Sequence, residues 1–247
     1  ERQRVGWRVI FKLGRSGGHC SADLITSGKA MGWVNRRCRK SYALARAVVA
    51  AVLLGSLSTP ETLAKGVMER VPFTYTVMID AGSSGCRLNI HRVHWEGPTI
   101  RVSGSSGGKI EPGLSSFAET PAQAVEHLRP LMATAEELIP REYHSSTKVY
   151  IKSTAGMRLL AKKAQEAIYS SIYDSLASDE SFPFHLDRHH LGTIDGDMEA
   201  FYGALSANYL AGRINARLRT TGHGGGEIGA LDMGGASTQI IFRHGRG

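Results

Sequence analysis

Apolar and polar positions along the chain predict strands and helices between residues 73 and 243. Residues 73–79 (FTYTVMI) are β-branched and aromatic, the composition of a buried strand. A Gly/Ser turn follows from Asp80 to Gly85, and residues 86–94 (CRLNIHRVH) alternate apolar and polar as the second strand of a hairpin. The pattern places a third short strand at 99–102 and a flexible loop over Ser103 to Gly108. Val125, Leu128, Met132, Ala135 and Ile139 recur at helical spacing, so 121–139 is an amphipathic helix. Residues 147–152 (TKVYIK) read as a strand. Thr154 to Met157 turns into a helical stretch running to about Ala177, and Phe182 to Leu186 reads as a short strand. A helix spans Asp195 to Leu210, and residues 213–226 are a glycine-containing connector. Glu227 to Asp232 and Thr238 to Arg243 form a second hairpin. This order fits an α/β sheet domain followed by the opening of another.

Charge separates this body from what precedes it. Residues 1–65 carry twelve Lys/Arg against three Asp/Glu, whereas the remainder carries 18 against 19. The net charge of +8 therefore belongs to the leader. Duplex binding needs a basic face to displace counterions from phosphates, so nucleic acid is not an expected partner of the body. After Met31 come Arg36, Arg37, Arg39, Lys40 and Arg46, then the apolar run Ala47 to Leu57 and the small residue Ala64. That is the layout of a secretory signal, with a membrane signal-anchor as the alternative. It implies the secretory pathway: secretion, a lumenal location or membrane anchoring. Residues 1–30 lack an evident period and are expected to be unstructured. The three cysteines, Cys20, Cys38 and Cys86, do not define a redox compartment.

The chemistry lies in the two hairpin turns. Asp80-Ala81-Gly82-Ser83-Ser84-Gly85 and Asp232-Met233-Gly234-Gly235-Ala236-Ser237 share one plan: a strand, Asp, one residue, Gly, small residues, a strand. Glycine lets backbone approach a ligand closely. Successive turn N–H groups make an anion-binding concavity, and an Asp at a strand end suits a hydrated divalent cation. Two such turns facing each other would clamp a phosphate chain. Gly108-Lys109 is not a phosphate loop of the Walker type, because Ser103 and Ile110 occupy its defining positions.

DAGSSGCR at 80–87, STAGMRLL at 153–160, GDMEAFYGALSANYLAG at 196–212 and ALDMGGASTQIIF at 230–242 resemble, in order, the first four conserved regions of the apyrases. These are nucleoside triphosphate diphosphohydrolases of the actin-like phosphotransferase superfamily. PGLSSFA at 112–118 fits a segment between the first two regions. The resemblance implies an actin-like (RNase H-like) α/β lobe with a mixed sheet flanked by helices over 65–226. Residues 227–247 would be the opening hairpin of a second lobe. The rest of that lobe, with its nucleobase pocket, would follow, so the 247 residues are expected to be the N-terminal half and inactive alone. A nucleoside di- or triphosphate would be the substrate and Mg2+ or Ca2+ the cofactor. Asp80 and Asp232 would hold the metal through waters. Ser83, Ser84, Gly85, Thr154, Gly234, Gly235, Ala236 and Ser237 would line the phosphates. Glu199 would be the general base, with Ser237 and Gln239 positioning the attacking water.

Glu199 also has a reading of its own. It sits in the first turns of a helix, whose N-terminus favours the ionised carboxylate a base requires. Asp197 is its nearest rival. Cys86 stands where the family has Ser or Thr, which would remove a hydroxyl from the cradle. Alternatives are another actin-like enzyme, such as an exopolyphosphatase or sugar kinase, or a nucleotide-binding protein without activity. His185, His189 and His190 lack an accompanying carboxylate or Cys framework by this reading and are expected to be surface histidines. Arg158, among Met157, Leu159 and Leu160, is expected to form a structural ion pair. His223 with Gly224 to Gly226 mimics an esterase oxyanion loop, but no G-x-S-x-G elbow accompanies it.

Overall fold

The computed structural model describes residues 6–13, 19–25, 73–96, 99–215, 218–222 and 226–244. The segment 31–64, expected to be a secretory signal or signal-anchor, and residues 223–225 lie outside the described residues. No helix among the described residues is long and apolar enough to cross a membrane.

Two strands, β1 (Gly6–Leu13) and β2 (His19–Ile25), come first. The body runs β3 (Phe73–Ala81), β4 (Cys86–Glu96), β5 (Thr99–Ile110), α1 (Pro121–Leu138), β6 (Lys148–Ser153), α2 (Ala155–Arg158) and α3 (Lys162–Ala177). It continues with β7 (Leu191–Thr193), α4 (Gly196–Leu210), β8 (Ala230–Met233) and β9 (Ser237–His244).

Five strands form one sheet in the order β5-β4-β3-β6-β7. β4 runs antiparallel to β3 and β5, while β3, β6 and β7 are mutually parallel. A parallel step needs a crossover, and α1 and α3 supply the two crossovers. Val77, Ile79, Leu88, Ile90, Val149 and Ile151 pack against these two helices in the main core. All five apolar positions that predicted α1 are buried. Tyr202 of α4 joins Met78 and Tyr150 in a smaller cluster. This is the mixed sheet flanked by helices that the resemblance implies.

Three expectations are corrected. Ser103 to Gly108 is not a loop: β5 continues through it to Ile110, paired along β4. The long alternating edge of β4 offers backbone partners that need no side-chain pattern. The register shift at Leu88/Asn89 is absorbed by glycines: a Cβ at Gly107 would lie 2.3 Å from Leu88 Cδ2, and Gly108 takes φ +106°. The first 30 residues, expected to be unstructured, contain β1 and β2. β1 pairs antiparallel with β9, giving a second sheet in the order β2-β1-β9-β8. Trp7, Val9, Phe11 and Leu13 do alternate with period two, and an open strand edge accepts such a segment. The stretch 154–177 is also broken into α2 and α3.

His91 of β4 sets an acid sensitivity. It is buried, and among the described residues neither ring nitrogen has a hydrogen-bond partner. Burial pushes its titration down to about 4 from 6.5. Above the unfolded value the ring is neutral in both states. As pH falls, the unfolded chain takes up the proton first, so stability is lost between about 6.5 and 4. A shift of this size corresponds to about 3 kcal/mol when complete. Urea denaturation at pH 7 and pH 4.5 should show a smaller acid loss for His91→Phe than for the parent. Identical pH dependence in the two would refute the assignment.

Candidate active site

The two Gly/Ser turns close in the same way. Gly82 N donates to Gly85 O at 2.9 Å, and Gly234 N donates to Ser237 O at 2.8 Å. Each turn thus ties the glycine two residues after its Asp to the residue three further on. Asp80 lies in β3 and Asp232 in β8, on the strands that enter these turns.

Three other segments crowd onto the first turn. A Cβ at Gly113 would lie 2.4 Å from Gly82 O and 2.7 Å from Ser83 O. One at Gly156 would lie 2.9 Å from Ser83 Cα and 2.8 Å from Ser115 Oγ, and one at Gly235 would lie 2.8 Å from Ser83 Oγ. Ser83 is therefore where the loop before α1, the start of α2 and the second turn converge. Only glycine allows approaches this close. Thr154, which precedes α2, is buried, and its N–H donates to Ala81 O at 3.2 Å.

Beside this cradle lies a buried polar network. Asp195 caps α4, accepting from Met198 N at 2.7 Å, and so sets Glu199 in the first turn. Glu199 is only 5% exposed. Arg158, at the end of α2, donates to Glu199 Oε2 at 2.8 Å, to Ile194 O at 3.0 Å and to Ser237 Oγ at 3.0 Å. Gln239 Nε2 donates to the same Glu199 oxygen at 2.9 Å and to Ser237 Oγ at 2.7 Å. A carboxylate only accepts, so the Gln239 amide orientation follows from its partner. Among the described residues its buried Oε1 has no partner. Ser237 Oγ already accepts two hydrogen bonds, so its own proton is available to donate.

The structure thus brings Glu199, Ser237 and Gln239 into one network and Ser83 against Gly235. It leaves Ser84 exposed and Ala236 and Asp232 half-buried. Arg87 Nη1 lies 3.8 Å from Asp80 Oδ2, a long, partly exposed pair worth roughly 0–1 kcal/mol. Asp197 is excluded from the network. Its Oδ1 is buried without a partner among the described residues, and burial and then the nearby Asp195 charge raise its pKa.

Arg158 forms the ion pair expected of it, but its contacts to Glu199 and Ser237 were not legible. A guanidinium in an apolar segment must find an anion, yet nothing local says which. Ser115 was also missed as a neighbour of the cradle. Cys86 requires a correction. Its side chain is fully buried in the main core, where burial pushes the thiol up to about 12. Strand alternation places it in the core with Leu88 and Ile90. The histidine expectation is corrected too: His190 is buried, and Asp187 accompanies His189 and His190.

α4 also anchors the second hairpin. Ala200 and Ala204 pack on Ile241, small residues permitting close approach. Buried Asn208 accepts from Ile228 N at 2.7 Å and donates to Ile228 O at 2.8 Å, tying the connector to the helix.

Residues 68–245 match the GDA1/CD39 (nucleoside phosphatase) family model. The chain is 34% identical over 168 residues to a guanosine-diphosphatase of Schizosaccharomyces pombe, a match covering 68% of this chain and 29% of that protein. It is 36% identical over 184 residues to the Golgi apyrase of the same organism (68% and 31% covered). It is 32% identical over 170 residues to ectonucleoside triphosphate diphosphohydrolase 5 of Gallus gallus (68% and 38% covered). The chain thus spans about a third of the length of these relatives. Among solved structures, the nucleoside triphosphate hydrolases of Neospora caninum align with a TM-score of 0.48 at 21% identity, covering 69% of this chain and 38% of that one.

Proposed function

The chain belongs to the GDA1/CD39 (nucleoside phosphatase) family, and we propose that it supplies the first half of a catalytic centre that hydrolyses nucleoside di- and triphosphates. The observation that carries this reading is the convergence of two identically closed Gly/Ser turns beside the Glu199–Ser237–Gln239 network. The β8–β9 hairpin lies outside the five-stranded sheet, which supports reading it as the opening of a second lobe.

In this reading the turns at 82–85 and 234–237 bind the phosphate chain through backbone N–H groups, Ser83 and Thr154. Ser237 donates a hydrogen bond to the oxygen of the attacking water, and Gln239 Oε1 accepts a hydrogen bond from one of its two O–H groups, while the other O–H faces Glu199. Glu199 takes that second proton as general base. Arg158 and Gln239 hold the Glu199 carboxylate in place, so its position is set before substrate arrives. Such preorganised groups stabilise charge without reorganising during the reaction.

Asp80 and Asp232 offer hard oxygen donors, the type Mg2+ and Ca2+ take, and the weak Arg87 contact to Asp80 is easily displaced. A divalent cation held there through waters would neutralise phosphate charge. The likeness to Golgi and ecto-named relatives supports a secretory-pathway location.

The test is phosphate release from ATP, ADP and UDP by a chain carrying both lobes. Excess EDTA should abolish release, and Mg2+ or Ca2+ should restore it. Asp232→Asn should lower the metal-stimulated rate at least tenfold with little change in melting temperature. Full turnover in chelator would remove Asp80 and Asp232 from the metal role.

A further inference from the structure

The segment 185–190 (HLDRHH) leads into β7 and takes no part in the Glu199 network. Asp187, His189 and His190 each bring one ligand atom within 4.8 Å of the others. Asp187 Oδ2 lies 3.6 Å from His190 Nε2 and 2.9 Å from His185 Nε2. Zinc bonds to imidazole and carboxylate of ~2.0–2.2 Å put tetrahedral ligands about 3.3–3.6 Å apart. The Asp187–His190 separation already matches one edge of that figure.

The local backbone explains the cluster. Residues Arg188–His190 form a 3₁₀ turn capped by Asp187. In such a turn positions i and i+3 eclipse, which sets Asp187 beside His190. The His190 ring is 2% exposed and lies against Tyr150 and His189, at centroid distances of 4.1 and 4.4 Å. Packing thus fixes one ligand in advance.

We propose that Asp187, His189 and His190 bind a borderline divalent cation of the Zn2+ class, with His185 orienting the Asp187 carboxylate and water completing the shell. Such an outer histidine–carboxylate contact is a normal support for a ligand. Two imidazoles and one carboxylate suit Zn2+ or Co2+ better than Mg2+ or Ca2+, which seek oxygen. Lys148 acts on His190 electrostatically, and Lys152 Nζ donates to His189 O at 3.2 Å. His190 Nδ1 faces the Asp187 N–H at 3.4 Å. Metal at Nε2 moves the ring proton to Nδ1 and forfeits that long contact. The ion would pin the 3₁₀ turn to the start of β7, just ahead of the helix that carries Glu199. It is a structural site, separate from the metal expected at Asp80 and Asp232.

The test uses the 247-residue chain stripped of metal, with Zn2+ and Co2+ as probes. Equilibrium dialysis should give a saturable Zn2+ site, Co2+ should show visible bands of a four-coordinate N/O site, and in the Asp80→Asn variant, which weakens the other proposed metal site, Zn2+ should raise the melting temperature more than Mg2+ does. His189→Gln and Asp187→Asn change exposed or half-exposed side chains, and each should weaken Zn2+ binding at least tenfold. Asp80→Asn should leave it unchanged, which separates this site from the phosphate cradle. Absence of Co2+ bands in the parent would overturn the proposal. So would Zn2+ affinity that survives in the double variant His189→Gln/Asp187→Asn.

Discussion

Replacing Glu199 by glutamine in a chain carrying both lobes is expected to lower kcat by about two orders of magnitude or more. Positioned general-base catalysis is typically worth ~10²–10⁴-fold, and glutamine cannot take a proton from water. Its carbonyl oxygen still accepts from Arg158 and Gln239, the two donors that hold Oε2 at 2.8 and 2.9 Å, so the local geometry survives. Nucleotide affinity should be largely kept, because a group acting on the attacking water contributes mainly in the transition state. Steady-state kinetics with separate measurement of nucleotide binding checks this. Asp197→Asn is the control and should leave kcat within a few-fold of the parent, since Asp197 lies outside the network. If Asp197→Asn abolished turnover and Glu199→Gln did not, the base would be misassigned. If neither mattered, this helix would have no catalytic part and a nucleotide-binding role without activity would move ahead.

Arg158→Met is expected to cost about 3–5 kcal/mol of stability, the usual penalty for leaving one buried charge without its partner. Both side chains are well shielded, at 11% and 6% exposure, so solvent screens the pair little. The loss also removes donors from Ile194 O and Ser237 Oγ. Methionine fills much of the volume, which separates the electrostatic loss from a cavity. The double variant Arg158→Met/Glu199→Gln should recover part of the loss, because no unpaired charge then remains. Chemical denaturation of the four proteins in a double-mutant cycle reads this coupling. A cost below about 1 kcal/mol for Arg158→Met would mean that the pair contributes only what an exposed pair does.

Local pattern carried much of the architecture. α1 follows from period-3.6 spacing and β4 from alternation, because burying one face of a helix or strand constrains residues close in sequence, while β3 follows from β-branched and aromatic composition. The paired D-x-G turns were legible for the same reason: each is a local backbone motif. β5 and β1 were harder, since a Gly/Ser run and a short leader segment become strands only when a neighbouring edge supplies hydrogen bonds.

What the sequence by itself determined was the kind of parts: two small-residue turns, a capped helix bearing Glu199, and a buried arginine needing an anion. Tertiary structure alone decided which parts meet. Arg158 finds Glu199, 41 residues on, and Ser237, 79 residues on. Strand pairing sends the Cys86 side chain into the core. A three-residue 3₁₀ turn converts His185, Asp187, His189 and His190 from scattered surface groups into one cluster. Polar recognition across such separations depends on ångström-scale distance and direction, and these arise only after strand register and helix docking have been settled by packing.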